Sequence, residues 1–351
     1  MPEPGGRFRS SSGRRALAFL AVVVLLVGGT VAYLLVQRSE TAAATAAAAE
    51  REAGTPRLPY EDILGVPHLV VRNTEAGPSF GKVALIPLDD PDGPRAIVDI
   101  SCERISATAS GAVCLQQVPG MLTSYRTVFL DSRLREIGGQ DLAGIPSRAR
   151  LSRDGRYAAS TAFVAGHAYT DAQFSTETVI TDLESGTPLG ELETWTTFQG
   201  GAEVTAVDRN YWGVTFLGDG PRFYATLGTG GQFLLVEGDV TARTMEVIGV
   251  SGACPSVSPD GTSVVYKRVA ASGEAGFVTL DLESSRVVPL DEVRVVDDQA
   301  SWADEDTVLY TVARQEAPTA GSDVWSAPVA GGPPRLLVPD AASPSVVRPE
   351  R

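Results

Sequence analysis

The sequence predicts an all-β fold: a six-bladed β-propeller of four-stranded antiparallel blades, preceded by one N-terminal transmembrane helix. Three observations carry that expectation. From Val66 onward, short runs of Val, Ile, Leu, Thr, Tyr and Phe are broken by Gly, Pro, Asp and Ser, with no sustained helical period. The runs that follow each turn start at His68, Ala112, Arg156, Arg222, Ser263 and Thr307, spaced about 44 residues apart except for one interval of about 66, and that period suits a four-stranded blade. Finally, the C-terminal Ser343-Pro344-Ser345-Val346-Val347 echoes Cys254-Pro255-Ser256-Val257-Ser258, which opens the clearest unit. The first unit lacks an innermost strand, so the tail is expected to supply it. Such closure removes the open sheet edges that a linear array would expose.

The elements follow in order. Residues 1–15, rich in Gly, Ser and Arg, form a short cytoplasmic tail. No residue from Ala16 to Val36 is charged, and at 1.5 Å per residue that length crosses a hydrocarbon core of about 30 Å, so 16–37 is read as a transmembrane helix. Arg7, Arg9, Arg14 and Arg15 lie before it and Ser39, Glu40 and an alanine run after it, a bias that keeps the N-terminus inside and sends the C-terminal domain out of the cytoplasm. A cleaved signal peptide ending near Ala44-Thr45-Ala46 and a twin-arginine signal at Arg14-Arg15 are the rival readings. The length of the apolar run favours an uncleaved anchor. Residues 38–65 are an Ala-rich extracytoplasmic tether, and 66–348 the propeller.

Within the propeller, third strands are expected at 82–87, 126–130, 178–182, 232–237, 276–281 and 323–327, and fourth strands at 95–99, 134–138, 188–192, 244–248, 287–290 and 335–338. The long interval between Arg156 and Arg222 holds a polar loop, Ala165 to Thr176, and an added segment, Trp195 to Tyr211; insertions of this size in a compact repeat fold tend to be functional loops.

A hydrophobic content of 43% over 351 residues suffices for one large core. The net charge of -14 argues against nucleic acid, because phosphate binding draws on clustered Lys and Arg. Cys102, Cys114 and Cys254 allow one disulfide in an oxidising compartment. A hairpin turning at Ser110-Gly111 would set Cys114 opposite Ala107 rather than Cys102, so the pairing stays open, and three buried thiols are the alternative.

The repeated pattern is Ser-Pro-Asp-Gly, a strand ending in an aromatic, a turn, and a strand ending in Asp-Leu. It stands as Ser258-Pro259-Asp260-Gly261, Tyr266 and Asp281-Leu282. It recurs less completely as Ser152-Arg153-Asp154-Gly155, Tyr157 and Asp182-Leu183, and degenerately at Ser301-Trp302-Ala303-Asp304 with Tyr310. On these residues the chain resembles the TolB-like branch of the WD-type β-propellers, and the stretch from Trp212 to Val240 looks like membrane-anchored TolB-like proteins of high-GC Gram-positive bacteria. The resemblance covers roughly 66–348 and implies the fold; the repeated residues shape turns and blade cores, so it says little about activity. The anchor, the missing separate N-terminal domain and the blunted motifs in the first two and last units set the chain apart from the periplasmic Tol protein.

No catalytic constellation is expected. The Gly-x-Ser-x-Gly spacing occurs at Gly77-Pro78-Ser79-Phe80-Gly81, but between two expected strands rather than at the strand-to-helix turn that a nucleophile elbow needs. His68 and His167 do not sit at metal-ligand spacing with the cysteines, and His167, near Tyr169 and Asp171, reads as a solvated polar contact. The acids Asp89, Asp90 and Asp92, Asp297 and Asp298, and Asp304 and Asp306 lack the spacing of a calcium loop and read as turn-forming, solvated groups. Aromatics concentrate at Trp195, Phe198, Tyr211, Trp212, Phe216, Phe223 and Tyr224. Trp212, Val214 and Phe216 alternate as packing residues, whereas Trp195 and Phe198 fit a recognition patch as well as a core. The expected partner-binding residues are Trp195, Phe198, His167 and Tyr169, with no cofactor and no metal. The expected function is non-enzymatic: a scaffold tethered to the cell membrane that binds an envelope protein or polymer through its loops. The alternative is a propeller hydrolase or lactonase-like enzyme with a metal in the central funnel.

Overall fold

The computed structural model describes residues 11–164, 175–269, 275–292, 294, 296, 298–314 and 321–349. It comprises two units. The first contains one helix, Ser11–Ala53, whose segment Phe19–Ala53 is long and apolar enough to cross a membrane. The helix runs on through the alanine-rich stretch, which sequence reading treated as a spacer, because alanine has the highest intrinsic helix propensity.

The second unit is a ring of six antiparallel sheets. Blade 1 orders Ala341–Val347, His68–Asn73, Lys82–Pro87 and Ala96–Ser101 from the axis outward, so the C-terminal strand is innermost. Val346 lies opposite Leu69, and Ser345 opposite Val70. Blade 2 is Arg104–Thr108, Gly111–Val118, Ser124–Asp131 and Glu136–Leu142, and blade 3 is Ile145–Leu151, Tyr157–Val164, Ser175–Asp182 and Thr187–Glu191. Blade 4 has Asn210–Phe216, Arg222–Thr229, Gln232–Asp239 and Thr244–Ser251. Blade 5 has Ala253–Val257, Ser263–Val269, Ala275–Asp281 and Val287–Pro289, and blade 6 has Ser301–Trp302, Thr307–Ala313, Ser322–Pro328 and Arg335–Val338.

Successive side chains of a strand point to opposite faces, and the inner strands are buried on both, so each blade packs against its two neighbours. Val70 packs with Ile105, Cys114 and Val128 of blade 2, while Leu69 and Val71 pack with Leu309 and Val324 of blade 6. The remaining junctions are filled in the same way: Val113 and Phe129 with Leu151, Ile180 with Tyr211 and Phe223, Leu235 with Tyr266, and Val265 with Trp302 and Tyr310. Six apolar junctions for six blades make a closed ring. Arg95 reinforces the seam at blade 1 by donating to Asn73 Oδ1 and to the carbonyls of Pro339 and Asp340.

The Ser-x-Asp-Gly turns are local hydrogen-bond cages. In blade 5, the Ser258 hydroxyl donates to Asp260 Oδ1 at 2.6 Å and accepts from Ser263 N, Asp260 Oδ1 accepts from Thr262 N, and Gly261 takes φ +74°. Blade 3 repeats this through Ser152, Asp154, Tyr157 N and Arg156 N, with Gly155 at φ +75°. A glycine admits that left-handed backbone at little cost.

Cys102 and Cys114 form a disulfide with Cα atoms 5.6 Å apart. The expected register is corrected: the hairpin turns one residue earlier, at Ala109-Ser110, so Ala107 faces Ala112 and Cys114 faces Ile105. The partner Cys102 lies in the link before this strand, and Cys254 is free and buried.

The inserted segment after blade 3 is also structured. Thr196–Gln199 joins the outer strand of blade 4 in parallel and pairs antiparallel with Ala202–Glu203, so this sheet has six strands.

Candidate functional site

In a ring of this topology the blade-to-blade links and the second-to-third strand loops gather on one face, and the Asp-Gly turns on the other. Every innermost strand starts at the linking face and runs down the axial channel. Residues 298–300, at the end of the link from blade 5 to blade 6, bridge the channel. Gln299 Nε2 reaches the carbonyls of Gly213 and Val214 in blade 4 and of Pro255 in blade 5, at 3.1, 3.2 and 2.5 Å. From blade 3, on the far side of the ring, Arg150 donates to the Ala300 carbonyl at 3.0 Å. The Asp298 carboxylate accepts from the Thr311 hydroxyl and the Gln299 N–H.

Arg104, Arg148, Arg150, Asp298, Gln299, Ser301, Ser343 and Ser345 line what remains of the channel. Asp298 was read from sequence as a solvated turn acid; instead it sits in this cluster, and Asp297 lies outside the described residues. Burial alone would raise the Asp298 pKa, but the charges of Arg104 and Arg148, the Thr311 hydroxyl and the Gln299 N–H outweigh it and hold the carboxyl below its ordinary range. Arg150 keeps some accessible surface at the channel mouth, yet protein encloses its guanidinium, and that burial lowers its pKa to about 10 against the opposing charge of Asp298. Sequence reading missed this cluster. Arg148-x-Arg150 is legible as two basic residues on one side of a strand, but their axial placement depends on the ring.

A second feature lies on the linking face. Met121 and Leu122, in the loop joining the second and third strands of blade 2, are 105% and 87% exposed. At the same end of blade 3, Ile145 opens the innermost strand with 58% of its surface exposed, opposite Phe163. The insertion after Leu192 emerges on this face too, with Val207 exposed.

The four expected binding residues separate. Trp195 is buried, edge-on to Phe223 with ring centroids 6.0 Å apart, in the core between blades 3 and 4. Phe198 is half-buried and lines a cleft of about 440 Å³ with Arg222, Glu237, Met245, Glu246 and Ile248. His167 and Tyr169, together with Asp171, lie outside the described residues. His68 is packed, its Nδ1 2.7 Å from the Val66 carbonyl, and burial lowers its pKa. Trp212, Val214 and Phe216 are packing residues, but not on one face: an irregularity between Trp212 and Thr215 puts Trp212 against Ala253 and Cys254, while Val214 and Phe216 join the cluster between blades 3 and 4. Asp89, Asp90 and Asp92 are exposed, and Asp304 accepts from Asp306 N within its turn.

Glu193, in the insertion, was not singled out by sequence. Its carboxylate accepts from Thr178 N, Tyr211 N and the Thr176 hydroxyl, binding blade 3 to blade 4. Burial pushes its pKa up to about 7, those hydrogen bonds opposing. Among the described residues, no group of three or more His, Cys, Asp or Glu side chains converges as a metal site.

No protein-family model matches the chain, and no curated protein matches it. Solved structures do. TolB from Acinetobacter baumannii aligns over 82% of this chain and 68% of its own, with 16% identity and a TM-score of 0.53. A putative TolB from Agrobacterium tumefaciens aligns over 79% and 91%, with 11% identity and a TM-score of 0.50. A chain of a nidogen/laminin complex aligns over 80% and 98%, with 11% identity and a TM-score of 0.53. Identities this low establish the fold alone. By strand order, by its repeated turns and by these likenesses, the chain carries a TolB-like six-bladed β-propeller, which follows one long apolar helix in the sequence.

Proposed function

We propose that this chain is a non-enzymatic binding or scaffold protein, held at the cell membrane by its N-terminal helix with the propeller outside the cytoplasm, and that it engages an envelope protein or polymer through the linking-face loops. The observation that carries the proposal is the display of Met121, Leu122 and Ile145 on that face at neighbouring blades. Apolar side chains held out by a rigid scaffold rather than folded into it mark an interaction surface. The narrow axial channel supports the same reading: Gln299 Nε2 and Arg150 Nη2 bond the protein's own carbonyls across the ring and leave a cavity of only about 20 Å³, so the loops are the surface for recognition.

The metal-hydrolase alternative stands second. A divalent cation at the axis needs oxygen or imidazole ligands, and there the described residues set three guanidinium charges against one carboxylate and a few neutral serine and amide oxygens. The test is affinity capture from membranes with the full chain, comparing wild type with a Met121→Asp, Leu122→Asp variant of unchanged melting temperature. A specific partner lost in the variant is the expected result. An identical partner set would remove this loop from the account, and a stoichiometric divalent ion in the purified chain would revive the enzyme reading.

A further inference from the structure

The channel residues have hydrogen-bonding capacity left over. The Ser301 and Ser343 side chains are each 7% exposed, and neither hydroxyl has a partner among the described residues; the same holds for Arg150 Nε. All three residues line one cavity, where room for the centre of a water-sized particle amounts to about 20 Å³. Roughly 10–15 Å³ by this measure holds a single water, so the cavity admits a monoatomic ion or one water, and a tetrahedral oxyanion is too large.

Backbone geometry places one of these hydroxyls. Ser343 takes φ +51°, a left-handed conformation that costs a non-glycine residue about 1–2 kcal/mol, and the pairing of its strand with blade 1 shifts register here. The equivalent residue of blade 5, Cys254, takes φ +54° at a similar register shift, so the bulge belongs to the repeat. The bulged residue is a buried thiol in blade 5 and a hydroxyl in the channel wall in blade 1.

We infer that this cavity binds a single small monovalent anion of the halide class, held by Arg150 Nε–H and the Ser301 and Ser343 hydroxyls. Buried donors without acceptors are costly, and a hydroxyl turns its hydrogen toward an anion freely. A guanidinium enclosed by protein gains further from a counter-charge, in line with its lowered pKa. The bound ion would join blades 1, 3 and 6 at the axis and act as a structural ligand of the ring, separate from the loop surface proposed above.

The experiment uses the full chain in detergent. Melting temperatures are measured in sodium chloride, sodium bromide and sodium gluconate at matched ionic strength, and a crystal grown in bromide is examined for anomalous scattering. Expected are a saturable rise of about 2–4 °C in halide over gluconate and a bromide peak between Arg150, Ser301 and Ser343. Arg150→Gln abolishes the rise and Ser301→Ala reduces it. If Arg150→Gln does not fold, Ser301→Ala decides. Equal melting in halide and gluconate with no bromide peak would mean that the cavity holds only water and would overturn the inference. A halide effect that persists undiminished in Ser301→Ala would also overturn it, by placing the ion elsewhere.

Discussion

The Ser-x-Asp-Gly turns and the link between blades 5 and 6 both consist of polar residues between strands, yet they hold the ring by opposite means. In the turn at Ser258 the cage bonds of the Ser and Asp side chains fall within a few residues, and blade 3 repeats them at Ser152, with a single longer bond from Arg153 to the Pro259 carbonyl between the two turns. In the link, Gln299 and Ala300 bond to residues far away in the chain, Gly213, Pro255 and Arg150. The cage repeats because its Ser and Asp bonds close within the hairpin, whereas the link is singular because it is shaped by the whole ring. Damage to a turn should therefore stay local, and damage to the link should loosen several blades together.

A series of substitutions sharpens that contrast. Asp298→Ala is expected to be the most damaging: removing one partner from a buried charge cluster typically costs about 3–5 kcal/mol, because Arg104 and Arg148 lose the acid that offsets their charge. Denaturant unfolding measures it, and a loss under about 1 kcal/mol would show that the link is not a keystone. The contribution also has a pH signature. The Asp298 pKa is depressed in the folded state, so its stabilisation is present above the ordinary carboxyl range and disappears as pH falls through the folded pKa.

Glu193 should behave in the opposite sense. Burial raises its pKa from 4.5 to about 7, so the folded protein keeps a proton that the unfolded chain releases, and stability falls as pH rises from 4.5 to about 7. The size is at most about 3 kcal/mol at 1.36 kcal/mol per unit. Melting scans across that window should be steeper for wild type than for Glu193→Gln, and identical slopes would refute the assignment.

The two turn glycines offer a matched pair. Alanine at Gly261 meets open space and bears only the left-handed backbone, about 1–2 kcal/mol. Alanine at Gly155 would in addition place its Cβ 2.5 Å from the Ser110 Cβ of blade 2, so Gly155→Ala should be the more destabilising. Equal losses would mean that the blade 2–blade 3 contact yields freely. Ser258→Ala removes both the hydroxyl's bond to the Asp260 carboxylate and its bond from Ser263 N, and in this solvated turn should cost about 1–3 kcal/mol. A double variant with Ser152→Ala measures whether the bond from Arg153 to the Pro259 carbonyl couples the two turns; additive losses are expected, because the two serine side chains have separate partners.

The same contrast explains what was legible in the sequence. Strand positions, the number of blades and the closing role of the C-terminal strand could be read because alternation, Asp-Gly turns and the echo of Cys254-Pro255-Ser256 at Ser343-Pro344-Ser345 are local signals. The channel cluster could not, since nothing near Asp298 announces Arg104 and Arg148. Trp195 shows the ambiguity in a single residue: an aromatic in an insertion suits a recognition loop and a core equally, and only the pairing of Thr196–Gln199 with blade 4 turns it toward Phe223. The disulfide stayed open for a related reason, since a turn displaced by one residue moves every opposing pair in the hairpin by two.

Closure of the ring is tested most directly by a Leu69→Cys, Val346→Cys variant in a Cys254→Ala background, oxidised and mapped by mass spectrometry of its peptides. Pairing of Leu69 with Val346 predicts near-complete formation of the 69–346 link and a raised melting temperature. Two thiols at positions 69 and 346 that remain free under oxidation would show that the C-terminal strand does not complete blade 1.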